Sequence, residues 1–135
     1  NFIMKSRPPC KIRGGPLRTV YQPMDRKIKK YQRAILSILE EYAKIKYSNV
    51  EGGNYVIADK ENHRYQVVTI GWEGRRFVHD CPIHMDIING KIWIYQNNTE
   101  WDLGAMLEKQ GVPKSDIVLG FFSESMRSYT EYALG

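Results

Sequence analysis

A chain of 135 residues that is 42% hydrophobic and 12% aromatic can build one domain with its own core, and it is neither disordered in composition nor long enough for two ordinary domains. No apolar run approaches the roughly 18 residues of a membrane span, and "NFIM" is too short for the apolar core of a signal peptide, so a cytoplasmic protein with no membrane association is expected. The net charge of +5 belongs to one segment: Lys5, Arg7, Lys11, Arg13 and Arg18 stand before Met24 with no acid among them, and the remaining 15 bases and 15 acids cancel.

Residues 1–23 are rich in proline and glycine and read as an extended basic arm. Arg13 and Arg18 are its candidate phosphate contacts, against the plainer reading of an extension ahead of a domain that starts at Met24. Cys10 and Cys81 show neither Cys-x-x-Cys nor finger spacing, so no disulfide framework or zinc module is indicated. The rest of the chain, 24–135, reads as a single domain.

From Asp25 to about Lys46, Ile28, Tyr31, Ile35, Ile38, Leu39, Tyr42 and Ile45 recur at helical spacing, with Asp25 as N-cap. The polar side opens with Arg26, Lys27, Lys29, Lys30 and Arg33. Cations at a helix N-terminus oppose its macrodipole. They are either a phosphate-binding face or a solvated face beside acids of the body.

Two strands follow, Tyr55 to Asp59 and Arg64 to Trp72, joined by "KENH". A turn at Glu73-Gly74 leads into Arg75 to Ile88, which at that length needs a bend or bulge, and Pro82 is the natural place for it. Asn89-Gly90 supplies the positive φ angles of a two-residue hairpin, and Lys91 to Gln96 returns. Strict alternation puts His79, Cys81, Ile83, Met85 and Ile87 on one face and Asp80, Pro82, His84, Asp86 and Ile88 on the other. The potential metal ligands are thereby split into pairs, short of the three or four that zinc requires. His84 and Asp86 read instead as a polar anchor or an interface pair.

Thr99-Glu100-Trp101-Asp102 resembles a capping box with Thr99 at the N-cap, opening a short helix to about Gln110 that Gly111 and Pro113 stop. The linking segment "VPKSDIVLGF" presents Ile117, Val118, Leu119, Phe121 and Phe122 to the core. A last short helix is expected from about Glu124 to Ala133. The fold class is α+β: a long N-terminal helix packed on a four-stranded antiparallel meander sheet, followed by two short C-terminal helices.

Phosphate-loop, dinucleotide, nucleophile-elbow and H-E-x-x-H motifs are all missing, and no acid with acid-x-lysine pair lies on adjoining strands, so neither catalysis nor a cofactor is expected. Trp72, Trp93 and Tyr95 fit either a base-stacking platform or, as is commoner, the cover of a core beneath a helix.

Several blocks in order resemble one family: "YQRAILSILEEYA", "YQVVTIGWEGRRFVHDCPIHMDIINGKIWIYQNNTE" and "GVPKSDIVLGF". Over roughly residues 25–135 they look like the XisI family, the fdxN element excision-controlling factors of cyanobacteria. Residues 1–23 depart from that pattern, since similar proteins begin near Met24. The resemblance implies an accessory factor for site-specific DNA excision during heterocyst development, acting beside a recombinase and a companion XisH protein. It also places His84, Asp86, Trp93, Thr99 and Glu100 within the family's blocks without giving any of them a chemical role.

Two readings stay open. One is a protein-interaction module that binds a XisH-like partner, as an antitoxin restrains a nuclease, through a hydrophobic sheet face or protruding hairpin also available to a homo-oligomer. The other is direct DNA contact by the arm and the helix cations, with affinity falling steeply in salt. The neutral body favours the first.

Overall fold

The computed structural model describes residues 23–135. The basic arm, with Arg13 and Arg18, lies outside the described residues. Helix α1 spans Pro23–Ala43, and Asp25 sits in its first turn rather than capping it. At about 1.5 Å per residue this helix runs some 30 Å, long enough to cross the sheet beneath it. Tyr31, Ala34, Ile35, Ile38, Leu39 and Tyr42 form its buried stripe.

Four strands follow in meander order: β1 Glu51–Asp59, β2 Arg64–Glu73, β3 Arg76–Ile88 and β4 Lys91–Asn97. Helix α2 (Leu103–Lys109) and a 3₁₀ turn (Lys114–Asp116) lead to a fifth strand, β5 (Ile117–Leu119). The segment expected only to link therefore joins the sheet: Ile92, Trp93 and Ile94 of β4 pair in parallel with Ile117, Val118 and Leu119. Three residues are too short to show an alternation in sequence, and the crossover through α2 is what permits a parallel partner. Phe121 and Phe122, expected in the core, are exposed. The last helix is a single turn, α3 (Glu124–Arg127), capped by the Ser123 hydroxyl.

β1 begins four residues earlier than the alternation suggests, because Gly52 and Gly53 read as loop. The reason for glycine is contact. A Cβ on Gly52 would lie 2.1 Å from the Ile70 carbonyl oxygen, and one on its register partner Gly71 would lie 2.3 Å from that of Glu51. The β3–β4 turn is as the sequence predicts, with Asn89 at φ 51° and Gly90 at φ 75°.

Between α1 and the sheet, Tyr65, Val67, Ile83, Met85, Ile92 and Ile94 are buried with Ile117, Leu103, Leu107 and Val112. Each such aliphatic side chain contributes on the order of 1.5–3 kcal/mol by leaving water. Asp116 fastens the first half of the helix to this layer: it accepts a hydrogen bond from the Tyr31 hydroxyl and pairs with Lys27 Nζ at 3.0 Å. Among the described residues no helix is long and apolar enough to cross a membrane.

Candidate functional site

The bulge expected at Pro82 is present, and it changes which side chains share a face. Val67 pairs with Ile83 and Thr69 with Asp80, so Cys81 and Pro82 together oppose Val68 alone. One extra residue reverses parity. Ile83, Met85 and Ile87 face the helix, but so do Val78 and Asp80, while Phe77 and His79 move to the face that carries His84 and Asp86. His79 and Cys81 therefore do not continue the Ile83–Met85–Ile87 face, because strict alternation holds only while the ladder is regular.

The face away from α1 is apolar and open over β1 to β3. Tyr55 is 55% exposed, Ile57 46%, Trp72 50% and Phe77 51%. Trp72 and Phe77, register partners across β2 and β3, meet edge to face at 5.0 Å. A monomer's surface normally scatters its large apolar side chains singly, so several on one pleated surface mark a contact region. Over β4 the same face is partly covered at Trp93, while Tyr95 stays exposed. The Arg127 guanidinium stacks 5.1 Å from the Trp93 ring centroid, and Lys91 Nζ donates to the Gly135 carbonyl beside it. Trp72, Trp93 and Tyr95 thus all lie on the face opposite the helix, against the expectation that they cover the core beneath it. Trp93 and Tyr95 stack at 5.9 Å, whereas Trp72 belongs to the separate Phe77 pair.

His84 and Asp86 stand at the middle of this face. His84 Nε2 lies 2.9 Å from Asp86 Oδ1, the Tyr95 ring meets the imidazole edge-on at 5.8 Å, and Trp93 is the register partner of Asp86. Both polar residues are partly buried, so the pair is held by its strand rather than swinging in solvent. Next to it the Cys81 thiol donates to Gln66 Oε1 at 3.2 Å, and burial pushes its pKa up, which keeps it a thiol instead of a nucleophilic thiolate. Among the described residues no three His, Cys, Asp or Glu side chains gather closely enough to hold a metal ion.

Thr99 and Glu100 are not part of this group. The N-cap of α2 is Asp102, whose carboxylate accepts from the Ala105 amide at 3.1 Å. Thr99 shapes the preceding turn, its hydroxyl accepting from the Trp101 amide at 3.0 Å and donating to Asn97 Oδ1. A capping-box pattern fixes which residues are available as caps, and here the later of two competent side chains wins. Thr99 and Glu100 instead border a separate hollow with Tyr42, Ile45 and Trp101.

The cations of α1 also divide. Lys27 is tied to Asp116, and Lys30 Nζ donates to the Gly111 carbonyl at 3.1 Å. Lys29 and Arg33 are exposed and have no ionic partner among the described residues. Arg26 has contacts of its own. Lys27 and Lys30 are thus engaged within the chain, while Lys29 and Arg33 remain open to a ligand. A hydrophobic sheet face is the expected interface; what sequence reasoning missed is which residues make it. Tyr55, Ile57 and Phe77 look like core residues until the helix is seen to cover only the other face.

The family model described as "XisI protein" matches residues 24–134. Among solved structures, a XisI-like protein from Anabaena variabilis shares 37% identity at a TM-score of 0.73, covering 80% of this chain and 99% of that one. The fdxN element excision controlling factor XisI from Anabaena variabilis shares 30% identity at a TM-score of 0.69, covering 81% of this chain and 99% of that one. A comparison with curated proteins finds no match.

Proposed function

The chain belongs to the XisI family, and from that premise we propose that it is a non-enzymatic accessory factor that controls excision of a DNA element by binding a XisH-like partner protein. The observation that carries this reading is the open apolar face on β1 to β3, which the His84–Asp86 pair borders where β3 meets β4. Exposed aromatic anchors on one surface, with a partly buried polar pair at its border, are the anatomy of a protein interface. The balanced charge of residues 24–135 points the same way, because a body that gripped duplex DNA by itself would carry a basic stripe. Two of its helix cations are already spent on Asp116 and Gly111.

The test is co-purification of the full chain with a XisH-like protein, followed by size-exclusion chromatography with light scattering. A complex is expected, and Trp72→Ala with Phe77→Ala should disrupt it while leaving the chain folded. Absence of a complex with the unaltered chain sinks the reading. Salt-sensitive binding of the chain alone to duplex DNA would transfer support to direct contact.

A further inference from the structure

Two adjoining hollows lie where the first turns of α1 pass the β1–β2 turn and the tip of the β3–β4 hairpin. One, of about 540 Å³, is lined by Asp25, Ile28, Lys29, Gln32, Lys60 and His63. The other, of about 420 Å³, is lined by Met24, Ile28, His63, Ile87, Asn89 and Gly90. They share Ile28 and His63, so they are two compartments of one depression, one cationic and one apolar.

The charges of the first compartment are not consumed internally. Lys29 and Lys60 make no ion pair or hydrogen bond among the described residues. Lys60 stands between two acids in sequence: Glu61 is exposed and makes no ion pair with it, and Asp59 is spent on its own turn, its carboxylate accepting from the Glu61 and Asn62 amides at 3.1 and 3.0 Å and from Asn62 Nδ2 at 2.9 Å. Those hydrogen bonds hold its pKa below the usual value. Among the described residues of the lining Asp25 is the one acid, against two lysines. The shared wall is fixed. His63 takes a φ of 57°, its carbonyl accepts from the Ile87 amide at 3.0 Å, and its Nδ1 lies 3.0 Å from the hydroxyl of Tyr65. That leaves Nε2 as the ring's remaining polar atom.

We infer that this depression binds an organic phosphate of nucleotide size. The phosphate sits between Lys29 and Lys60 with His63 beside it. The ring system lies against Met24, Ile28 and Ile87, within reach of the Asn89 amide. Lysines serve phosphate as point charges, and an apolar compartment with a few polar groups orients the rest of a small ligand. The inference is independent of the partner-binding reading, since the depression is at the α1 end of the β-turns and not on the open sheet face.

The experiment is isothermal titration of the full chain with inorganic phosphate, with adenosine 5′-monophosphate and with a short 5′-phosphorylated single-stranded oligonucleotide. Saturable binding of the mononucleotide is expected, at least ten-fold tighter than inorganic phosphate. Lys29→Ala with Lys60→Ala should weaken it at least ten-fold, and Lys46→Ala, away from the depression, should not. Tighter binding of the oligonucleotide than of the free nucleotide assigns the phosphate to a strand end, and equal or weaker binding assigns it to a small molecule. No saturable binding, or binding indifferent to Lys29→Ala with Lys60→Ala, overturns the inference. A circular dichroism spectrum of that variant separates lost binding from lost fold.

Discussion

The two faces of the sheet are built from the same strands and nearly the same residue types, yet they differ in what covers them. Toward α1, Tyr65, Val67, Ile83, Met85 and Ile94 are sealed by Ile35, Ile38 and Leu39. On the other side Tyr55, Ile57, Trp72 and Phe77 remain half exposed. Apolar content alone therefore does not separate core from interface; the covering element does. The covered face supplies stability, and the open face is surplus to folding and available to a partner.

The sharpest way to break this contrast is to truncate one side chain on each face. Leu39→Ala removes a fully buried contact and should cost about 2–5 kcal/mol, read as a fall in the urea midpoint with unchanged slope. Trp72→Ala should change stability by about 1 kcal/mol or less. With the XisH-like partner the order inverts: Trp72→Ala should lose about 2 kcal/mol of binding, roughly 30-fold in Kd, while any effect of Leu39→Ala on binding follows its loss of fold. If Trp72→Ala destabilises the free chain as much as Leu39→Ala, the open face is part of the core.

How much of this was legible in the sequence depends on the kind of signal. The helix stripe from Tyr31 to Tyr42, the Asn89-Gly90 turn and the bulge at Pro82 each rest on local chemistry, and each is where the residues put it. What depends on distant neighbours was not legible. β5 exists because β4 offers it an edge, and Gly52–Gly53 belongs to a strand because Gly71 lets the backbones close. The faces of Phe77 and His79 follow from a two-against-one count at Cys81 and Pro82 that only pairing with Val68 defines. The candidate site divides in the same way. His84 and Asp86 come together because they stand two apart on β3, and Trp93 joins them as the partner of Asp86 across the tight hairpin, although the β3–β4 register shifts between His84 and Met85; Thr99 and Glu100 are separated from them by the end of β4.

A smaller effect sharpens the contrast at the rim of the covered face. Asp102→Ala removes the only side-chain cap of α2 and should cost about 1 kcal/mol, while Thr99→Ala leaves that cap in place. Thermal melts of the two variants side by side decide between the two residues. An equal or larger loss for Thr99→Ala would restore it as the structural start of the helix.

The smallest effect at neutral pH, and one confined to the covered side, is alkaline. Tyr132, packed against the core, has its pKa pushed up to about 12, chiefly by burial and then by the hydrogen bond it donates to Glu108 at 3.0 Å. Burial raises Tyr31 and Tyr42 as well, helped by their hydrogen bonds with Asp116 and Tyr47. The unfolded chain ionises its phenols near the ordinary value of 10, so between that pH and the higher folded values the unfolded state sheds protons that the native state keeps. Stability from these groups is therefore intact below about pH 10 and is lost as pH rises through the folded pKa values. Melting temperature followed from pH 8 to 12 should hold level and then fall, and Tyr132→Phe should make the fall shallower, since a phenyl ring has no proton to lose. A melting temperature that stays level through pH 12 would mean that the hydroxyls of the covered side are as free to ionise as those in water, and the two faces would then differ in apolar cover alone.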